Sequence, residues 1–185
     1  TALEQGGQLE LHYQPKVRNN GRVITGAEAL VRWRHPTRGL LAPGLFIPVA
    51  ERFGLITALG SWVIDEACRQ TAEWLELGLR IRVAINLSVH QLRQDDLVDR
   101  IAQAIRRHAL DPKLLTFEIT ESVAMEDADS ASRVFERLGQ LGVQLSIDDF
   151  GTGYSSLAYL KRFPIDKLKI DRSFVRGLPD DDSDA

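Results

Sequence analysis

One cysteine in 185 residues, Cys68, excludes an internal disulfide and a cysteine-built metal cluster. It lies in a helical pattern with Trp62, Ile64 and Trp74, so it reads as a packed core thiol rather than a nucleophile. A reducing, cytoplasmic setting follows as an expectation. No signal peptide is evident, nor a run of about 18 apolar residues, so no membrane contact is expected of this domain. A membrane-anchored parent protein remains compatible with that. Charge of one sign is also scarce. The net value of −3 gives no global basic field, which argues against a nucleic acid polymer as partner. The four histidines, His12, His35, His90 and His108, show no ligand spacing. There is no G-x-G-x-x-G and no Walker lysine, so the glycines at 151 and 153 make a weak phosphate cradle.

What is present is an ordinary globular composition, 44% hydrophobic and 26% charged, long enough for one domain over residues 1–185 with a sizeable core. The start at Thr1 rather than Met suggests an excised domain. Residues 9–17 and 22–33 read as strands joined by Asn19-Asn20-Gly21, a hairpin turn, so the first two strands are expected to be antiparallel. His35-Pro36 to Gly39 and Ala42-Pro43-Gly44 mark a long loop. Helices are expected over 45–53 and 56–77, the second stopped by Gly78. The pattern then alternates. Strands are expected over 80–87, 114–120, 143–148 and 165–170. Helices are expected over 95–108, 128–141 and 155–162. Another helix is expected to begin over 173–175, and 178–185 is an acidic tail. Alternation implies parallel strands. Six strands in 185 residues fall short of a closed (β/α)₈ barrel, which takes eight and typically ~250 residues; a doubly wound open sheet is the alternative.

Side chains alternate along a strand, so parity sorts them. Val83, Ile85 and Leu87 oppose Ala84, Asn86 and Ser88. Leu115, Phe117 and Ile119 oppose Thr116, Glu118 and Thr120. Val143, Leu145 and Ile147 oppose Gln144, Ser146 and Asp148. Leu168 and Ile170 oppose Lys167, Lys169 and Asp171, and Ala27, Ala29 and Val31 oppose Gly26 and Glu28. In each strand a bulky apolar face is set against a small or polar one that ends in Glu28, Asn86, Glu118, Asp148 or Lys169. Any one of these is an ordinary strand terminus, and Asp148-Asp149 alone is compatible with an Asx turn and a helix cap. Five in register point to a ring of oxygen ligands. Crowded carboxylates need a cation, and oxygen donors favour Mg²⁺ or Mn²⁺. The adjacent Asp149 would serve a second ion, a pairing suited to phosphodiester hydrolysis, with Lys169 stabilising the nucleophilic water or the developing charge. Glu121, beyond the strand end, is either solvated or bonded to the backbone of the loop after Asp149.

The chain resembles the EAL domain, the bacterial cyclic di-GMP phosphodiesterase family, in an ordered series of blocks. These are Tyr13-Gln14-Pro15, Glu28-Ala29-Leu30-Val31-Arg32-Trp33, Phe46-Ile47-Pro48 with Ala50-Glu51 and Gly54-Leu55-Ile56, Asn86-Leu87-Ser88, Glu118-Ile119-Thr120-Glu121, Asp148-Asp149-Phe150-Gly151-Thr152-Gly153, and Lys169-Ile170-Asp171 with Phe174-Val175. The resemblance implies an α/β, TIM-like (β/α)₈ barrel with an antiparallel first strand, whose last two strands are absent from this sequence. It implies Glu28, Asn86, Glu118 and Asp148 as ligands of a first Mg²⁺ or Mn²⁺, and Asp148 and Asp149 as contributors to a second. Lys169 would hold the catalytic water and Glu121 would anchor the loop after Asp149. Gln14 and Arg32 would contact substrate, with Asp171 close to the metal centre. A homodimer through that loop and its helix is implied, as is an upstream sensor or cyclase domain.

The family's Ala-Glu-Gly-Val-Glu motif, whose first Glu is usually assigned as general base, and its Gln-Gly motif do not occur here. The expected function is hydrolysis of cyclic di-GMP to linear pGpG. The alternative is a non-catalytic cyclic di-GMP receptor.

Overall fold

A computed structural model describes residues 3, 6–18, 22–151, 163–171 and 173. Seven strands occur among them: β1 (Leu9–Arg18), β2 (Val23–His35), β3 (Gly39–Leu41), β4 (Val83–Asn86), β5 (Leu115–Thr120), β6 (Gln144–Phe150) and β7 (Lys167–Ile170). The helices are α1 (Pro43–Arg52), α2 (Ile56–Glu76), α3 (Val89–Leu92), α4 (Leu97–Arg107), α5 (Glu121–Glu126) and α6 (Ala128–Leu141). The sheet runs β1-β2-β4-β5-β6-β7, with β3 paired to β2. β1 is antiparallel to β2, and the pairs from β2–β4 to β6–β7 are parallel. The fold is therefore α/β with a mostly parallel sheet.

Helix periodicity decides which face is covered. Buried residues of α2 recur at Ile56, Leu59, Gly60, Ile64, Ala67, Cys68 and Thr71, one stripe at helical spacing. Ile101 and Ile105 of α4, and Phe135 and Leu138 of α6, repeat the arrangement. These stripes pack on Val83, Ile85, Phe117, Leu145 and Ile147, the apolar parity of the parallel strands. A smaller cluster joins Val31 to Phe46 and Ala50 of α1. Each fully buried large side chain contributes about 1.5–3 kcal/mol. Thus α1, α2, α4 and α6 all lie on one face of the sheet, which argues against the doubly wound alternative.

Several expectations need correction. The long loop after β2 contains β3, which pairs Leu40 with Arg34 and Leu41 with Trp33. The strand expected from residue 80 starts at Val83, where pairing with Ala27 of β2 begins. Before it, Arg80 is turned to Asp111 at 2.7 Å. α3 and α5 had no sequence signal, because helices this short show no period; each is instead marked by a cap. Ser88 and Gln91 form a capping box, and the Thr120 hydroxyl accepts from the Val123 amide. The β6 strand does not stop at Asp148 but continues to Phe150. Leu168 and Ile170, on the apolar parity of β7, are 40% and 60% exposed. The turn at 19–21, the helix at 155–162 and the tail lie outside the described residues, as does all but Ser173 of the expected final helix.

Gly26 fixes how closely β4 approaches β2. A Cβ there would lie 2.7 Å from the Arg82 carbonyl oxygen, which accepts a 2.8 Å bond from the Ala27 amide. Gly26→Val must push the two strands apart, and is expected to lower stability by about 1–3 kcal/mol in chemical denaturation. Cys68 is fully buried, and burial pushes its thiol up to about 12. Native protein at pH 8 is expected to resist aromatic disulfide reagents, with one thiol reacting after denaturation.

Candidate metal and phosphodiester site

The polar parity of the same strands builds the site on the opposite face. Gln14 of β1 pairs with Glu28 of β2, so the two share a face. One ladder row joins Asn86, Glu118, Ser146 and, on β7, Lys167. Glu28 starts one row lower, opposite Ala84, and Asp148 one row higher, opposite Thr120. Long side chains close that stagger, and five of the expected residues meet.

Glu118 lies at the centre, 2% exposed. Its Oε1 accepts from Lys16 Nζ at 2.5 Å and its Oε2 from Lys169 Nζ at 2.7 Å. Lys169 also donates to Asp148 Oδ2 at 2.7 Å, and both ammonium groups stand 3.6 Å from Glu28 Oε2. Asn86 Nδ2 donates to Glu28 Oε1 at 3.0 Å. Burial alone would push the Lys169 pKa down. The hydrogen bonds to Asp148 and Glu118 and the nearby Glu28 charge outweigh it, so its pKa is raised above the usual lysine range. Lys169 is consequently a charged donor and no proton acceptor at neutral pH. Lys16 was not singled out from the sequence. Its signal was its shared parity with Gln14, two residues earlier on the strand that pairs with Glu28.

Asp149 reaches the site through an irregularity. Ile147 pairs with Leu168 and Phe150 with Ile170, so Asp148 and Asp149 together oppose Lys169. This is a bulge, which re-aims side chains. Asp149 takes φ +54°, a left-handed conformation that Asp tolerates better than most residues. Burial raises its pKa first, the Asp148 and Asp171 charges add to this, and Lys169 opposes it. Asp171 is thereby placed beside the site, and its Oδ1 accepts from the Ser173 amide at 2.8 Å. Gln14 is exposed on the Glu28 face. Arg32 lies further along β2 at the same parity and donates to the Val31 carbonyl at 2.9 Å; none of its hydrogen bonds or ion pairs among the described residues reaches the acid cluster.

Glu121, at the first position of α5, is 1% exposed and accepts from the Gly151 amide at 2.6 Å. That resolves the two readings of Glu121 in favour of the backbone bond. Its Oε1 has no hydrogen-bond partner among the described residues.

The donor set was tested against a divalent ion. Three carboxylates and an amide offer hard oxygen ligands, and the buried Glu118 demands positive charge. Ser146 Oγ, beside Glu118 on the same row, is buried without a hydrogen-bond partner among the described residues. The donor chemistry fits Mg²⁺ or Mn²⁺. The geometry is that of an ammonium-held state: no three acidic, histidine or cysteine side chains among the described residues surround a common point ready for an ion.

Comparison with known proteins shows the family. Residues 1–185 match the family described as the EAL domain. The chain belongs to the EAL domain family. The bifunctional diguanylate cyclase/cyclic di-GMP phosphodiesterase MucR of Pseudomonas aeruginosa is 52% identical over 185 residues, all of this chain and 27% of MucR. The cyclic di-GMP phosphodiesterase NbdA of the same organism is 49% identical over 173 residues, 93% of this chain and 22% of NbdA. This EAL chain thus spans about a quarter of these curated relatives. The solved structure described as PaMucR phosphodiesterase, c-di-GMP complex, superposes with TM-score 0.92 at 50% identity, covering 99% of this chain and 74% of that one. Among the described residues, no helix of the domain is long and apolar enough to cross a membrane.

Glu121 ties α5 to the backbone just past Asp149. Replacing it with Gln removes a charge-assisted bond of about 1.5–3 kcal/mol. Exchange of the Gly151 amide is expected to quicken at least about tenfold in hydrogen–deuterium experiments, while amides of the β5 core keep their protection.

Proposed function

We propose that this EAL domain, in its parent protein, hydrolyses one phosphodiester bond of cyclic di-GMP to give linear pGpG, using Mg²⁺ or Mn²⁺. The observation that carries the reading is Glu118, a buried carboxylate that needs cationic partners, with Glu28, Asn86, Asp148 and Lys169 gathered around it. Membership in a family with cyclic di-GMP phosphodiesterases among its close relatives supports the substrate.

Glu28, Asn86, Glu118 and Asp148 would hold a first ion, and Asp148 with Asp149 a second. Bound there, the metal supplies an acidified water and neutralises charge on the departing oxygen. The remaining work belongs to side chains. Lys169, as a donor, holds the attacking water by a lone pair and stabilises charge growing on phosphorus oxygens. Gln14 and Arg32 contact the substrate, Arg32 through a phosphate, and Asp171 completes the acidic rim. Glu121 braces the backbone after Asp149 through Gly151. Water oxygen bonds to phosphorus, the bond to the 3′ oxygen breaks, and that oxygen leaves with a proton. The same reading takes the sheet as part of a TIM-like barrel in a cytoplasmic domain, downstream of a sensor or cyclase and paired as a homodimer near residues 150–162.

Glu28→Ala and Asp148→Ala in the full-length chain are expected to lower kcat/KM for cyclic di-GMP at least about a hundredfold with Mn²⁺ present. Lys169→Met is expected to lower kcat with KM little changed. Turnover that survives both acid substitutions would sink the metal assignment. The alternative reading is a receptor that binds cyclic di-GMP without turnover. Tight calorimetric binding of the nucleotide in chelator, with no pGpG formed on adding Mn²⁺, is its expected signature.

A further inference from the structure

We propose that Lys16 is a built-in counter-ion that occupies the cation position of this site and must withdraw when a divalent ion binds. It would thereby set the metal affinity. The proposal rests on the reading of Glu118 as a metal ligand given above.

The geometry begins with Glu118, whose two oxygens are both taken. Lys169 holds Oε2 and is itself anchored a second time, by Asp148 at 2.7 Å. Lys16 holds Oε1 at 2.5 Å, and its other acidic neighbour, Glu28, is 3.6 Å away. Of the two ammonium groups Lys16 is therefore the more weakly anchored. Both ammonium groups lie between Glu118 and Glu28, each 3.6 Å from Glu28 Oε2, but only Lys169 has Asp148 as a further anchor. A divalent ion there would meet a like charge at close range, so the ammonium must leave.

The fold provides somewhere for it to go. A cavity of ≈ 320 Å³ lies on this face of the sheet, lined by Lys16 itself with Gly26, Thr116 and Ser146, and also by the cations Arg82, Lys167 and Lys169. Lys16 pairs across the ladder with Gly26, which has no side chain to fill that space, and the β1–β2 register shifts just after it, between Lys16 and Val17. The Lys16 side chain is 31% exposed, so its ammonium can turn towards water in that cavity without becoming a buried unpaired charge. Lys16 then has two roles. Without metal it prevents Glu28 and Glu118 from repelling each other. With metal it is the competitor that the ion displaces.

The test uses the full-length chain, stripped of metal and titrated with Mn²⁺, comparing wild type with Lys16→Met and Lys16→Arg. Lys16→Met keeps the length of the side chain and removes the charge. It is expected to bind Mn²⁺ about tenfold more tightly, the loss of a competing charged hydrogen bond. Its Tm is expected to fall in chelator and to return to near the wild-type value in saturating Mn²⁺. Lys16→Arg retains the charge and is expected to stay within about threefold of wild-type affinity. Unchanged or weaker Mn²⁺ binding by Lys16→Met overturns the proposal. So does an equal loss of Tm with and without metal, or a failure to fold even in Mn²⁺. If wild type binds no Mn²⁺, and Glu118→Gln behaves identically, the metal reading fails and the proposal with it. If wild type binds and Lys16→Met does not tighten, the proposal alone fails.

Discussion

The structure depends on a negative charge placed where water barely reaches. Glu118 sits on the central strand β5, between β4 and β6, and is almost fully buried. A carboxylate in that position is tolerable only with positive partners and hydrogen bonds at both oxygens. Two lysines from opposite edges of the sheet, β1 and β7, supply them. The sheet must therefore curve enough for residues on its first and last described strands to reach one carboxylate. The acid acts as a constraint on shape as well as on charge.

The pleat lets one sheet do two jobs. At odd-numbered positions from Val83 to Leu87, Leu115 to Ile119 and Leu145 to Ile147, the strands feed an apolar core under α2, α4 and α6. At even positions the same strands present Asn86, Glu118, Ser146 and Asp148. A one-residue slip in any ladder would bury acids among leucines and expose the core, so stability and function enforce the same register.

That coincidence explains what was legible beforehand. Parity sorted Glu28, Asn86, Glu118, Asp148 and Lys169 onto one face before any coordinates, because period 2 is a local property of the chain. The caps of α6 were equally local: Asp127 accepts from the Ser130 amide, and Gly142 follows at φ +84°. What escaped was either too short to have a period, as with β3, α3 and α5, or decided by distant neighbours. Nothing local marks Lys16, because the partner that gives it a place, Glu118, is 102 residues away in sequence. The exposure of Leu168 and Ile170 likewise depends on what packs against β7, and parity cannot report that.

The bulge at Asp148 and Asp149 has an evolutionary side. Two adjacent acids can serve one site only because β6 carries one residue more than β7 across that step. The count of residues makes the arrangement, so no exchange of side chains in a regular strand can recreate it. Loss of one of the two acids by a single-codon deletion would restore a regular ladder with one carboxylate opposite Lys169. A substitution at Asp148 or Asp149 leaves the extra residue in place, whereas its loss could be undone only by an insertion at that one place in the chain.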